Sequence, residues 1–141
     1  MAKTVKIKCT HCNYRLSLKE GVSSLDDEKM LLNIDNPLAS PYNILSKLKN
    51  KEQKVKVTNM IKEGAKLDGE YGYFIDRCPK CKNITNNFYF KLKNNKEVYQ
   101  PTYYCKSCKT KLNKISSTTA IKSKCPKCNS KLEYIDTLYN E

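Results

Sequence analysis

The chain has 141 residues, 39% of them apolar and 29% charged, with no tryptophan and a formal charge of +13. That suffices for one domain or two small ones but is thin material for a single large core, so metal, disulfides or a partner should supplement it. The longest apolar runs, such as Met30-Leu31-Leu32, are far too short to span a bilayer.

Residues 1 to 8 alternate lysine with apolar residues and lack the apolar core and cleavage site of an export signal. The expected location is cytoplasmic, with no membrane partner. Val5 and Ile7 alternate with Lys6 and Lys8 and lead into Cys9-Thr10-His11-Cys12. Tyr14, Leu16 and Leu18 then alternate with Arg15, Ser17 and Lys19 up to Glu20-Gly21, which predicts strand, knuckle, strand.

Residues 24 to 70 contain no cysteine and predict a helical insertion. Ser24 is a candidate N-cap, with Asp26, Asp27 and Glu28 favourably placed at a helix start, and Asn36-Pro37 ends that helix. Ser40-Pro41 starts the next, carrying Tyr42, Ile44, Leu45 and Leu48. A second helix is expected from about Glu52 to Glu63, with Val55, Val57, Met60 and Ile61 apolar and Gly64 closing it.

A strand from Tyr71 to Ile75 enters Cys78-Pro79-Lys80-Cys81. Phe88, Phe90 and Leu92 alternate with Tyr89, Lys91 and Lys93, a half-buried strand with a Tyr/Lys face. Asn94-Asn95 turns the chain, and a return strand from Val98 to Tyr103, marked as an edge by Pro101, reaches Cys105-Lys106-Ser107-Cys108. Strands at Lys111 to Lys114 and Ala120 to Lys124 flank a turn at Ser116 to Thr119, and Cys125-Pro126-Lys127-Cys128 precedes a last strand, Leu132 to Ile135.

The eight cysteines thus form four Cys-x-x-Cys pairs with none left over. In a reducing compartment such pairs point to metal or redox chemistry before disulfides. Four pairs supply two four-thiolate sites, each suited to tetrahedral Zn²⁺ with no position open for water or substrate. Two structural zinc ions are therefore expected, and catalysis is not. Sixteen residues separate Cys108 from Cys125, inside the range for one zinc site. On length, Cys105, Cys108, Cys125 and Cys128 share a metal, leaving Cys9, Cys12, Cys78 and Cys81 for the other across 65 residues. The competing pairing joins Cys78 and Cys81 to Cys105 and Cys108 across 23 residues and leaves the outermost pairs to meet. A residue in the left-handed region should follow each pair; Asn13 and Asn129 suit it, whereas Lys82 and Lys109 do not.

The expected fold is a small metal-stabilised α+β protein of two zinc ribbons, β-hairpins with four-cysteine knuckles, with the helical insertion in the first. The expected domains are residues 1 to 93 and 94 to 141. Lys8-Cys9-Thr10-His11-Cys12-Asn13-Tyr14, the strand ending in Glu20-Gly21, the segment near Pro41-Tyr42, the aromatic strand into Cys78 and Cys81 with Asn83, and Lys124-Cys125-Pro126-Lys127-Cys128 carry a resemblance. The chain resembles a family of small zinc-ribbon proteins common in Firmicutes. That resemblance implies the two-helix insertion and the first-site pairing, and no activity.

Each zinc–tetrathiolate centre carries −2, which lowers the net charge to about +9. Residues 78 to 141 hold 13 lysines against 4 acids, whereas residues 1 to 77 hold 14 basic and 10 acidic residues. The asymmetry points to a polyanion, RNA or DNA, with a larger protein or ribonucleoprotein assembly for transcription or translation as the expected setting. The candidate contacts are Tyr89, Lys91 and Lys93 on one strand and Tyr103, Lys106, Lys109 and Lys111 near the third knuckle, with tyrosine rings for bases and lysines for phosphates. The alternative is a protein adaptor docking through Leu45, Leu48, Met60 or Ile61. His11 is the single histidine, so no Ser-His or Cys-His nucleophile system can be assembled.

Overall fold

The computed structural model describes residues 2 to 22, 27 to 35 and 42 to 140. In chain order the elements are β1 (Ala2–Cys9), β2 (Arg15–Glu20), α1 (Glu28–Leu31), a 3-10 turn (Ile44–Lys47), α2 (Lys51–Lys62), β3 (Lys66–Leu67), β4 (Gly72–Arg77), β5 (Ile84–Tyr89), β6 (Leu92–Lys93), β7 (Val98–Tyr99), β8 (Asn113–Ile115), α3 (Ser117–Lys122) and β9 (Leu132–Asn140). They form three sheets of three strands, ordered β2-β1-β9, β3-β6-β7 and β5-β4-β8. This is a small α+β protein with antiparallel pairings.

The chain divides into two units interleaved along the sequence, not at residue 93. The first comprises Met1–Gly21, Tyr73–Asn87 and Thr102–Asn140; the second comprises Val22–Gly72 and Phe88–Pro101. All eight cysteines belong to the first unit.

In the first unit, alternation buries Val5, Ile7 and Cys9 along β1, and they pack with Leu18, Ile75, Ile84, Ala120, Cys125 and Leu132. β1 pairs on one side with β2, Val5 opposite Leu18, and on the other with β9, Cys9 opposite Leu132. The register against β9 shifts between Lys6 and Ile7, a bulge that absorbs one residue. The last strand is longer than expected, and its partner is the first strand. The Asn86 side chain completes the edge of β2, accepting from the Lys19 N–H at 2.6 Å and donating to the Lys19 and Phe74 carbonyls at 2.8 and 2.9 Å.

Other expected elements differ as well. The strand anticipated from Ala120 to Lys124 is helix α3, because the Ser116 hydroxyl accepts from the Thr119 N–H at 3.1 Å and caps it, while Ala120 is fully buried. The β-branched Thr118, Thr119 and Ile121 mimic a strand in sequence. Hence residues 105 to 128 are not a simple ribbon hairpin. The return strand stops at Tyr99, just before Gln100 and Pro101, which has no N–H to pair.

In the second unit, α2 matches expectation. Asn50 caps it by accepting from the Glu52 and Gln53 N–H groups at 2.8 and 3.2 Å, and Gly64, at φ +88°, takes the left-handed position beyond its end. The helix expected after Pro41 is only the 3-10 turn. There the buried Asn43 accepts from the Leu45 and Ser46 N–H groups and donates to the Asn33 carbonyl at 3.3 Å. α1 is capped by Asp27, which accepts from the Met30 N–H at 2.8 Å. The signals at Ser24, Asp26, Asn36-Pro37 and Ser40-Pro41 lie outside the described residues. Phe88, Phe90 and Leu92 are buried as their alternation requires.

Candidate metal centres

Strand pairing decides which cysteines meet. β1 delivers Cys9 beside the start of β9, and the Thr10 N–H and hydroxyl both donate to the Lys131 carbonyl, at 3.1 and 2.9 Å. That seats the first knuckle against the fourth. β4 runs beside β8, Arg77 opposite Asn113, and the Leu112 N–H donates to the Tyr103 carbonyl at 2.9 Å, which seats the second knuckle against the third. The quartets are Cys9, Cys12, Cys125 and Cys128, and Cys78, Cys81, Cys105 and Cys108. The sequential pairing preferred on length is corrected: a gap of conventional size does not bring two knuckles together when each is bonded to a different strand.

Within each quartet all sulfurs lie within 4.8 Å of one another. The Sγ separations are 3.4 Å for Cys9 and Cys128, 3.6 Å for Cys12 and Cys125, and 3.5 Å for Cys81 and Cys105. A disulfide would need about 2.05 Å. Four sulfurs at about 2.3 Å from a tetrahedral ion stand about 3.8 Å apart, close to these values. The donor set is all sulfur, and each quartet is arranged to hold a metal ion. His11 is exposed and belongs to neither quartet.

Each knuckle is organised by its own backbone. The first cysteine's N–H donates to the carbonyl five residues on, at Tyr14, Asn83, Thr110 and Ser130, over 2.7 to 2.9 Å. The Cys12, Cys81 and Cys108 N–H groups point at the sulfurs of Cys9, Cys78 and Cys105, at 3.3, 3.4 and 3.5 Å. Such donors stabilise thiolate. The Cys81 N–H holds the Cys78 thiol down at about 6 against the opposing effect of burial, and the Cys108 N–H lowers Cys105. Ser130 likewise holds Cys128 at about 6. Cys108 is pushed up to about 12 by its bond to Cys81 and by burial. Four crowded sulfurs cannot all ionise without a cation between them.

Three of the four residues after the knuckles are left-handed: Lys82 at φ 68°, Lys109 at 60° and Asn129 at 64°. Their N–H groups bond back to the Cys78, Cys105 and Cys125 carbonyls at 3.0, 2.9 and 2.8 Å. Asn13, expected to do the same, does not. A side chain in that region costs roughly 1–2 kcal/mol, which glycine avoids while losing about 0.5–1 kcal/mol of chain entropy. Lys82→Gly and Lys109→Gly should therefore each stabilise the metal-loaded protein by about 0.5–1 kcal/mol. Urea titration checks this; a loss of stability in both would show that the lysine side chains matter more than the backbone.

The residues expected to touch nucleic acid are divided between the two units. Tyr89, the last residue of β5, falls with Lys91 and Lys93 in the second unit, and Lys91 pairs with Asp68 at 3.6 Å. Tyr103, Lys106, Lys109 and Lys111 belong to the first unit. Tyr103 is half-buried against Cys78, Cys105 and Leu112, so its ring covers the second quartet. Lys106, Lys109 and Lys111 are exposed. Sequence reasoning passed over Arg77, Lys124 and Lys127 as contacts, although each stands next to a quartet cysteine. It also passed over Asp76, which is fully buried and accepts hydrogen bonds from the Thr85 hydroxyl and, at 2.8 Å, from the Asn87 amide.

No helix among the described residues is long and apolar enough to cross a membrane. A scan against protein-family models, a search of curated proteins and a search of solved structures each gave no match to this chain.

Proposed function

We propose that each quartet holds a structural Zn²⁺ and that the protein is a non-enzymatic binder of RNA or DNA acting within transcription or translation. Zinc suits the sites because thiolates select soft or borderline ions and the d¹⁰ dication accepts a closed tetrahedral shell without redox chemistry. With all four positions taken by protein, no site remains at which a metal-bound water could react.

The observation that carries the binding reading is the placement of charge around the knuckles. Lys80, Lys82, Lys106, Lys109, Lys124 and Lys127, inside or beside the three later knuckles, are all exposed. From residue 98 to residue 132 there is no acidic residue. Both rigid centres thus present cations on short, well-braced turns, the arrangement that follows a phosphate backbone.

The adaptor alternative keeps only part of its candidate surface, since Leu48 and Met60 are 3% and 0% exposed and serve the interior. Leu45 and Ile61 are half-buried.

The test is binding of the zinc-loaded chain to labelled single-stranded and duplex oligonucleotides across a salt series. With about five phosphate contacts, single-strand affinity should fall about 100-fold between about 50 and 200 mM salt. Absence of binding, or binding indifferent to salt, would overturn the reading.

A further inference from the structure

The first unit contains a cleft of about 540 Å³ bordered by both metal centres. Cys81 lines it from one quartet, and Cys125 and Cys128 from the other. Four cations, Arg77, Lys82, Lys124 and Lys127, also line it, and no carboxylate does. No carboxylate among the described residues pairs with any of the four.

Three of the eight cysteines border the cleft, so sharing the charge of two zinc centres evenly over the sulfurs leaves it at about +2.5. The excess is therefore more than the counter-charge of the metals. Arg77 is held in place: its Nη1 donates to the Ser123 hydroxyl at 2.7 Å, and that hydroxyl donates to the Thr119 carbonyl at 2.8 Å. A guanidinium fixed at one nitrogen keeps the rest of its planar fork for an oxyanion, the geometry that suits phosphate. Lys82 and Asn129 enter the cleft from left-handed turns whose backbone is fixed by the knuckles, so their positions do not depend on loop order.

We propose that this cleft is a phosphate-binding site, with Arg77 as the oriented contact and Lys82, Lys124 and Lys127 as the surrounding charge. Resting on the nucleic-acid function proposed above, its ligand is a short run of single-strand backbone, one phosphate on Arg77 and neighbouring phosphates on the three lysines. The volume is ample for one nucleotide and falls in the usual range of ligand sites.

The experiment uses the zinc-loaded full chain, a short labelled single-stranded oligonucleotide and, separately, inorganic phosphate and a mononucleotide. One variant removes the cleft charge, Arg77→Gln with Lys82→Gly, Lys124→Gln and Lys127→Gln; glycine suits the φ at position 82. A control removes the same charge from exposed sites of the second unit, Lys51→Gln, Lys54→Gln, Lys62→Gln and Lys66→Gln. The cleft variant should reduce the slope of log affinity against log salt by about 3, and the control by less than about 1. If the cleft variant loses zinc, Lys124→Gln with Lys127→Gln carries the test, with a reduction of about 1.4. In the unaltered protein, the Lys82, Lys127 and Asn129 amide resonances should shift on adding the oligonucleotide.

Equal losses in cleft variant and control, or unmoved amides at these positions while the oligonucleotide binds, would overturn the cleft and leave the nucleic-acid function standing. Amide shifts with phosphate or mononucleotide, abolished in the variant, while the oligonucleotide does not bind, would uphold the cleft and overturn that function. No response to any of the three anions would overturn both.

Discussion

Replacing Cys9 and Cys128 together by serine should leave one of the two metal ions in place, whereas replacing Cys9 and Cys81 together should remove both. The first pair belongs to one quartet and the second pair is split between the two. Sequential pairing of the knuckles would give the opposite result, so metal content of the purified variants decides between them. The energetic effect is large. A structural zinc site is worth roughly 10–16 kcal/mol near neutral pH, as much as the roughly 5–15 kcal/mol that holds a typical domain folded. Loss of the quartet of Cys9, Cys12, Cys125 and Cys128 should therefore also release β9 from β1, seen as rapid amide exchange from residue 132 onward. Chelation of both metals should unfold the first unit. A metal-free protein with an unchanged circular-dichroism spectrum would end the case for structural ions.

The second large effect is expected at Asp76, two residues before Cys78. Its carboxyl is fully buried and gathers the Thr85 hydroxyl and the Asn87 amide, tying β5 to β4 beside the second quartet. Asp76→Ala removes those acceptors and leaves a void, which should cost about 3 kcal/mol. For a chain of this size that lowers the melting temperature by about 6–12 °C. Asp76→Asn preserves shape and one acceptor and should fall between the two. A melting temperature of Asp76→Ala within about 2 °C of the unaltered protein would show that this network does not hold the strands.

Sequence carried a good deal of this architecture, for identifiable reasons. The strands around Val5 and Leu18 and the helix ended by Gly64 follow from periodicity and a terminal glycine, both local signals. The eight metal-ligand candidates follow from cysteine spacing alone. Their partition did not, because it depends on which strands become neighbours. β9 is the instructive failure: Leu132 to Asn140 lacks clean alternation, leaving Tyr134, Ile135, Leu138 and Tyr139 exposed, so nothing local marks it as the partner of β1. The α3 segment misled through its β-branched residues, although the Ser116 cap was there to be read. Asp76 looked like one scattered acid because burial is invisible in sequence. The cleft cations were hidden in the same way, since their convergence requires both quartets to be assembled first.

The clasp between the first and fourth knuckles also sets an order of events during synthesis. Cys81 and Cys105 are 24 positions apart, whereas Cys12 and Cys125 are 113 apart. At roughly 5–20 residues per second, the inner ligand set is complete about 1–5 s after its first half is made, and the outer set only after roughly 6–20 s. For that interval the Cys9 and Cys12 thiols emerge from the ribosome as an open dithiol, available to oxidants and stray metals, so the newborn chain is at its most vulnerable at its first knuckle.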